Sequence, residues 1–215
     1  MTVSEYWRDP LVELGFPNLR LIYNGFAVGE FEFDESEIER LLRCYELEGK
    51  PIIYVGNHGA CKGTQQVIEL LQGLDVHLVA SGDPAGHVAG VRTLRLYRRD
   101  YLRLLKASAL TITMSQFEEG WCRTAHEAML CGTPVVGSGR GGMQELLVGG
   151  GQIICESFEK LPGICVELIA DSSARASMGA KGQRFTRQFG LERLRNDWTS
   201  LITTGHPVRT TALRF

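Results

Sequence analysis

The sequence lacks most of the patterns that assign a protein to a class at once. No apolar run approaches the ~20 residues that a membrane-spanning helix needs, and the opening MTVSEYWRDP has neither the basic nor the apolar region of a secretory signal. A Walker A motif, HExxH, GxSxG and the Asp-x-Asp pair that holds a divalent cation on a diphosphate are all missing. We therefore expect a cytoplasmic protein, with peripheral binding at the cytoplasmic membrane face as an alternative, and a site that holds no metal.

Cysteine and charge exclude further classes. The six cysteines form neither a CxxC pair nor a zinc-binding spacing, and most lie in apolar segments, so we expect reduced thiols that pack as small hydrophobic side chains. The formal net charge of -2 gives no reason to expect nucleic-acid binding. Five clustered arginines are expected to form either a solvated face or phosphate contacts: Arg92, Arg95, Arg98, Arg99 and Arg103.

The sequence does contain an ordinary globular composition with an excess of glycine. Apolar residues make up 44% and charged residues 22% of the 215 residues, which suits one domain or two small ones. The 25 glycines exceed the usual share of about 7%. They mostly follow apolar runs, where turns at strand ends need them.

Short apolar runs alternate with helical patterns from residue 50 onward. The predicted strands are 51–56, 75–82, 91–97, 110–114, 134–137 and 151–155. The predicted helices are 64–72, 99–107, 121–131 and 143–148 between strands, and 158–170, 172–189 and 191–202 after them. Continuous apolar strands joined by helices indicate a parallel sheet with right-handed crossovers. We predict an α/β fold with a doubly wound, Rossmann-like parallel sheet of about six strands and extra carboxyl-terminal helices.

The first 48 residues have a different pattern. Helices are predicted at 3–14 and 34–47, with a strand-like run at 19–23 and a turn signal at Asn24-Gly25 between them. We predict three regions: a leading segment at 1–48, the sheet domain at 49–203 and a flexible tail at 204–215.

The predicted fold points to four loops as candidates for a site. In a doubly wound sheet the ligand lies beyond the carboxyl ends of the strands, where the winding reverses. The loops at this edge are 56–63, 81–90, 115–122 and 137–142. The last one, in GSGRGGMQE, is glycine-rich, but it is not a GxGxxG motif and it follows a late strand, which argues against NAD binding.

Two glutamates stand on either side of the start of the helix predicted at 121–131. Gly120 lets the chain turn into that helix, whose free amide groups form an anion site suited to a pyrophosphate. Glu119 lies just outside the helix, and Glu127 lies roughly 9 Å along its axis. Each carboxylate can accept hydrogen bonds from a pair of hydroxyls, one pair on a ribose and one on a sugar. The alternative is that Glu119 caps the helix dipole and that Glu127 is either solvated or paired with an arginine such as Arg123.

The loop after the first core strand places a lysine between glycines. Lys62 can reach a phosphate as a point charge, and Asn57 and His58 share the loop as hydrogen-bond donors. His126, next to Glu127, is more typical of a packing residue than of a catalytic base.

Taken together, these residues resemble a known family. The segments YVGNHGACKG and SQFEEGWCRTAHEAMLCGTPVVGSGRGGMQE are similar to the carboxyl-terminal donor domain of retaining GT-B glycosyltransferases, in particular glycosyltransferase family 4, the glycosyl transferases group 1. The matching features are Gly56, Lys62 and Gly63 of the first loop, the pair Glu119 and Glu127, and the runs 127–129, 132–136 and 141–145. The resemblance covers about residues 50–150.

The resemblance implies a role for each site residue. Glu127 would hold the ribose hydroxyls, and Glu119 would hold hydroxyls of the donor sugar near the reacting carbon. Lys62 and Glu119 are the implied catalytic residues, because Lys62 would neutralise the diphosphate leaving group together with the amides at the helix end. Those amides belong to Gly120, Trp121, Cys122 and Arg123, the base would lie near Leu94, Arg95 and Leu96, and Gly56 and Asn57 complete the donor-binding set.

Two positions depart from the family pattern. Asn57 stands where an arginine usually follows the first-loop glycine, so one cation on the leaving group is missing unless Arg123 or another arginine replaces it. Cys122 stands where a glycine is common.

The implied activity is the transfer of a hexose-type sugar from a UDP-, GDP- or ADP-sugar to an acceptor, with retention and without a metal or other cofactor. Members of the family have two such domains. The resemblance therefore implies a missing amino-terminal acceptor domain or companion chain, little activity for this chain alone, and an exposed cleft face through which a homodimer could form. The alternatives are a non-catalytic module that binds a nucleotide-sugar or a partner, and a relative of the sugar-nucleotide epimerases.

Overall fold

The structure, a computed structural model, describes residues 1–57, 59–83 and 89–204. Within these ranges the chain forms six β-strands and nine α-helices. The strands are β1 Ile52–Asn57, β2 His77–Ser81, β3 Arg92–Leu94, β4 Leu110–Thr113, β5 Val135–Gly137 and β6 Ile153–Ile154. The helices are α1 Glu5–Glu13, α2 Glu35–Cys44, α3 Thr64–Leu71, α4 Arg98–Ala107, α5 Arg123–Leu130, α6 Met143–Gly149, α7 Leu161–Ala170, α8 Ser172–Thr186 and α9 Leu191–Thr204.

All six strands run parallel in one sheet, in the order β3-β2-β1-β4-β5-β6. The chain winds from β1 to one edge through β2 and β3, then returns to β4 beside β1 and winds to the other edge. This topology confirms the predicted doubly wound, Rossmann-like α/β fold. Because the winding reverses between β1 and β4, the carboxyl ends of these two strands form the cleft where such folds bind ligands.

The four inner strands β1, β2, β4 and β5 are buried, as their apolar runs predict, whereas the edge strands β3 and β6 are only partly buried. Side chains of β1 alternate between two cores: Ile52 and Tyr54 belong to the first, and Ile53 and Val55 belong to the second. Helices α4, α5 and α6 cover the first core, and α3 and α7 cover the second. The sheet is therefore the middle layer of three, and its carboxyl edge stays free for a site.

The leading segment 1–48 packs onto the first core. Phe26 and Leu41 are buried in it, and α2 begins with a capping box between Asp34 and Glu37. Within the described ranges no helix is long and apolar enough to cross a membrane.

Two expectations for this segment are wrong. Residues 19–23 form no strand, because Leu21 makes only an isolated bridge with Thr2 and the pairing goes no further. Asn24-Gly25 does not form a hairpin turn. Instead Gly25 allows a close approach of α9, since a Cβ at this position would lie 2.6 Å from the Cβ of Leu194.

The predicted boundaries differ from the observed ones at a few places. The edge strand β3 ends at Leu94 rather than at residue 97, and α8 ends at Thr186 rather than at residue 189. The predicted tail lies outside the described residues except for Thr204, which ends α9, and the loop predictions at His58 and at 84–88 also lie outside them. All six cysteines are free thiols, as predicted. Four are buried, whereas Cys44 and Cys61 are exposed.

Candidate functional site

The loop 115–122 joins β4 to α5 at the edge where the winding reverses. Helix α5 begins at Arg123 rather than at residue 121, and Cys122 occupies its N-cap position. Cys122 has φ 43°, in the left-handed region that favours glycine, which explains why a glycine suits this position. Burial raises the pKa of the Cys122 thiol to about 12, so the thiol stays protonated at neutral pH and is a poor nucleophile.

Glu119, near the end of this loop, is a buried carboxylate with a cation beside it. Its Oε1 accepts a hydrogen bond from Lys62 Nζ at 2.6 Å and another from Ser115 Oγ at 2.5 Å. Its second oxygen, Oε2, makes no hydrogen bond with any residue that the structure describes. One oxygen therefore fixes the side chain, and the other is available to accept hydrogen bonds from a ligand.

The backbone of Glu119 is held by the glycine-rich turn before α6 and by the first helix. Gly142 N donates to the Glu119 carbonyl at 2.8 Å, and the indole Nε1 of Trp7 donates to the same oxygen at 3.1 Å. Gly141 has φ 66°, and a Cβ there would clash with the backbone of Glu119. The glycines of GSGRGGMQE therefore serve close packing behind Glu119.

Lys62 reaches Glu119 from the loop after β1. Gly63 follows it with φ 68°, and a Cβ at Gly63 would lie 2.5 Å from the carbonyl oxygen of Met114, so this close approach brings the β1 and β4 loops together. Lys62 Nζ also lies 4.7 Å from the centre of the Phe117 ring, while 39% of the lysine side chain stays exposed. The ammonium group is thus positioned by contacts yet open to solvent.

Glu127, in the first turns of α5, is a second buried carboxylate. Its Oε1 accepts from Arg98 Nη1 at 2.6 Å, and its Oε2 accepts from the Tyr101 hydroxyl at 2.9 Å. Arg123 Nη2 lies 4.0 Å from Oε1, at the outer limit of an ion pair. A carboxylate offers about four acceptor sites, so these contacts leave room for two more hydrogen bonds.

A cavity of about 360 Å³ lies beside Glu127. Its lining residues are Tyr54, Asn57, Ser81, Gly82, Arg95, Leu96, Tyr101 and Thr124. Because Tyr101 also donates to Glu127, the carboxylate stands next to the cavity wall. The hydroxyls of Tyr54 and Ser81 are 2.5 Å apart. Burial raises the pKa of Tyr54 to about 12 and the pKa of Tyr101 well above its ordinary value, so both hydroxyls stay protonated.

The structure brings the predicted site residues to this one edge of the sheet. Asn57, Arg95 and Leu96 line the cavity, Gly56 lies next to the end of β1, and Leu94 ends β3. No group of three or more His, Cys, Asp or Glu residues that could hold a metal ion occurs in the described part of the chain.

Trp121 is the exception, because its side chain points into the core. The indole Nε1 donates to His126 Nδ1 at 2.9 Å, and the ring packs against Tyr23 and Phe189. His126 is fully buried, and burial lowers its pKa to about 3, so it is neutral at pH 7. The expectation that His126 is a packing residue is confirmed, and only the backbone of Trp121 remains a candidate for donor binding.

Sequence reasoning missed several residues of the site. Tyr54, Ser81 and Thr124 line the cavity, and Arg98 and Tyr101 contact Glu127. Two signals could have found some of them. Tyr54 interrupts an otherwise aliphatic strand just before the first loop, and Arg98 and Tyr101 are three positions apart on α4, hence on one side of it.

Most of the arginine cluster does not form a solvated face. Arg92 donates to the carbonyls of Tyr45 and Glu46. Arg99 donates to the Glu37 carboxylate and to the carbonyls of Glu30 and Glu32. Arg103 donates to the carboxylates of Glu37 and Asp100. These contacts tie the sheet domain to the leading segment.

Comparison with known sequences identifies one matching family model and one related protein among the matches. Residues 91–185 match the family model described as "Glycosyl transferases group 1". A trehalose synthase from Pyrococcus horikoshii is 29% identical to this chain over 187 residues, which cover 73% of this chain and 45% of that protein.

Solved structures share the fold at low identity. HepE from Anabaena, in complex with UDP-glucose, matches with a TM-score of 0.84 at 22% identity, covering 94% of this chain and 63% of that one. Sucrose-phosphate synthase from Thermosynechococcus elongatus matches with a TM-score of 0.80 at 20% identity, covering 94% and 56%. The C-terminal domain of LpcC, a glycosyl transferase group 1 family protein from Francisella tularensis, matches with a TM-score of 0.60 at 18% identity, covering 76% and 97%.

The fold is that of the carboxyl-terminal domain of GT-B glycosyltransferases, as the sequence resemblance predicted. More narrowly, residues 91–185 carry the match to glycosyl transferases group 1. The chain spans 45% of the trehalose synthase and 63% of HepE, so it corresponds to one part of these longer proteins. Assignment to glycosyltransferase family 4 stays a prediction.

Proposed function

We propose that this chain binds a nucleoside diphosphate sugar and is the donor half of a retaining, metal-independent glycosyltransferase that transfers a hexose-type sugar. The observation that carries the proposal is the pair of buried carboxylates on either side of the α5 amino end. Each has a cation within 2.6 Å, Lys62 at Glu119 and Arg98 at Glu127. The complex of HepE with UDP-glucose, on the same fold, supports a donor of this class.

The proposed roles follow from the contacts of each group. Tyr101 lines the cavity and donates to Glu127 behind it, so Glu127 would receive the ribose hydroxyls through its two remaining acceptor sites. The amides at the start of α5 and the Lys62 ammonium group would hold the diphosphate, and they would stabilise the negative charge that develops on it as it leaves. Glu119 would orient the sugar through its open oxygen, Oε2.

The acceptor would come from elsewhere. The chain spans 63% of HepE, and a second domain or a companion chain would complete the cleft on the donor side. We propose that this chain alone binds the donor but transfers little sugar to an acceptor. Without a second domain or companion chain, a homodimer of this chain would be the other arrangement that covers the face of the cleft.

The proposal is tested by calorimetric titration of the chain with UDP, GDP and ADP. At least one of them is expected to bind at sub-millimolar concentration, and Glu127→Ala is expected to weaken that binding at least tenfold, because charge-assisted hydrogen bonds contribute about 1.5–3 kcal/mol each. Glu167→Ala, at an exposed carboxylate of α7, is the matched control and should bind as the wild type does. If none of the three nucleotides binds at millimolar concentration, the proposal is wrong.

A non-catalytic module that binds a nucleotide-sugar is the second candidate. Asn57 favours it, because this cavity-lining position carries no charge where the resembling family has an arginine. Sugar transfer by the chain with an added acceptor domain would exclude this candidate. Nucleotide binding without transfer under those conditions would support it.

A further inference from the structure

Arg95 differs from the other arginines of its cluster. The other four each pair with at least one carboxylate. Arg92 pairs with Glu46, and Arg98 pairs with Glu30 and Glu127. Arg99 pairs with Glu37, and Arg103 pairs with Glu37 and Asp100. Arg95 makes no ion pair or hydrogen bond with any residue of the described ranges. The residues outside those ranges, 58, 84–88 and 205–215, include no Asp or Glu. Arg95 is thus an exposed arginine that lines the cavity and pairs with no side-chain carboxylate.

The position of Arg95 along the cavity indicates which part of a nucleotide it meets. Arg95 and Leu96 follow β3, and Ser81 ends β2, whereas Glu127 belongs to α5, which follows β4. Strands β3 and β4 are separated by β2 and β1, and three strand spacings amount to about 14 Å. If the diphosphate lies at the start of α5 and the ribose at Glu127, a base that extends toward β2 and β3 would lie beside Arg95.

The chemistry of a guanidinium group restricts which bases suit this position. It has five N–H donors and no acceptor, so it pairs with carbonyl oxygens and unprotonated ring nitrogens and is repelled by amino groups. Uracil presents O4, and guanine presents O6 beside N7. Cytosine and adenine carry an amino group at the corresponding position.

We propose that Arg95 selects a donor nucleotide whose base carries a carbonyl at that position, uracil or guanine, over the amino bases cytosine and adenine. The inference rests on the proposed function, since it requires that a nucleotide occupies this cavity. It specifies the nucleotide class, for which Arg95 would be the specificity-determining residue.

Two matched pairs of nucleotides test the inference by calorimetry on the full chain. UDP and CDP differ at the pyrimidine 4-position, and GDP and ADP differ at the purine 6-position and by the 2-amino group of guanine. In the pair that fits the cavity, the wild type is expected to bind the carbonyl member about tenfold more tightly than the amino member, as one charge-assisted hydrogen bond allows. Arg95→Met should abolish this difference by weakening the carbonyl member alone, and Arg95→Lys should keep part of it.

The outcomes separate this inference from the proposed function. Arg40→Met, at an exposed arginine of α2, is the control and should keep the wild-type preference. If the wild type binds both members of each pair equally, or prefers an amino base, the selection by Arg95 is wrong while donor binding stands. If Arg95→Met weakens all four nucleotides by the same factor, Arg95 meets the phosphates, and the inference is overturned. If no nucleotide binds, both proposals fail.

Discussion

Glu127→Gln offers a direct test of whether this carboxylate receives a ribose. The substitution keeps the size of the side chain and one acceptor oxygen but removes the negative charge. In the structure Arg98 and Tyr101 occupy one site on each carboxylate oxygen, which leaves two acceptor sites for the two hydroxyls of a ribose. The relevant comparison is between UDP and 2′-deoxy-UDP, which differ by one of these hydroxyls.

The expected difference in affinity between the two nucleotides follows from the strength of a hydrogen bond to a charged acceptor. One such bond contributes about 1.5–3 kcal/mol, so the wild type should bind UDP about ten- to a hundredfold more tightly than 2′-deoxy-UDP. In Glu127→Gln the affinity for UDP should fall, and the ratio between the two nucleotides should approach one. Isothermal titration of both ligands into both proteins gives all four dissociation constants and hence the coupling between residue and hydroxyl. A ratio that is equally large in both proteins would refute the assignment.

The variant is expected to fold. Arg98 keeps a second carboxylate nearby, since its Nη2 lies 3.6 Å from Glu30 Oε2 and 45% of its side chain is exposed. The Tyr101 hydroxyl can still donate to the glutamine oxygen. A thermal unfolding curve of the ligand-free variant, recorded beside the wild type, separates a lost ribose contact from a damaged fold.

Three further predictions concern residues that form the site or pack behind it. Lys62→Met should lower the affinity for UDP at least about tenfold in calorimetry and leave the affinity for uridine unchanged, because only the diphosphate would contact the ammonium group. Gly141→Ala should lower the free energy of unfolding by about 2 kcal/mol or more in urea titrations, because its positive φ and its contact with Glu119 leave no room for a methyl group. His126 has a folded-state pKa of about 3, below its value of about 6.5 in an unfolded chain, so stability is lost as the pH falls from about 6.5 toward 3. The urea midpoint should therefore drop less between pH 7 and pH 4.5 in His126→Gln than in the wild type.

The sheet could be predicted from the sequence because each strand carries its own signal. PIIYVG is a continuous apolar run that ends at a glycine, and LTITM alternates large apolar residues with β-branched threonines before the polar Ser115. Both patterns favour a buried strand. The loops at the carboxyl edge then followed from the alternation of strands and helices. Glu119, Glu127 and Lys62 belong to those loops or to the helix start, so the sequence pattern places them at the carboxyl edge, whereas their roles come from the family resemblance and stay predictions.

The partners of the glutamates could not be predicted in the same way. Arg98 and Tyr101 are 29 and 26 positions from Glu127, and they reach it only because α4 packs against α5. The beginning of α5 was placed too early because helical patterning does not reveal that Cys122 adopts a left-handed backbone. The turn predicted at Asn24-Gly25 is wrong for a related reason. Gly25 allows close packing of α9, and the sequence alone does not distinguish a glycine needed for a turn from one needed for close packing.

Helix α1 is connected to the candidate site through the indole of Trp7. Its Trp7 donates to the carbonyl of Glu119, and Glu145 of α6 accepts from the backbone of Tyr6 at 2.7 Å, so the helix is anchored at both points. Tyr6 and Trp7 nevertheless remain 39% and 41% exposed. A displacement of α1 must either break the Trp7 hydrogen bond or shift the backbone that carries the buried carboxylate. Any ligand that moved α1 would therefore act on the position of Glu119 as well.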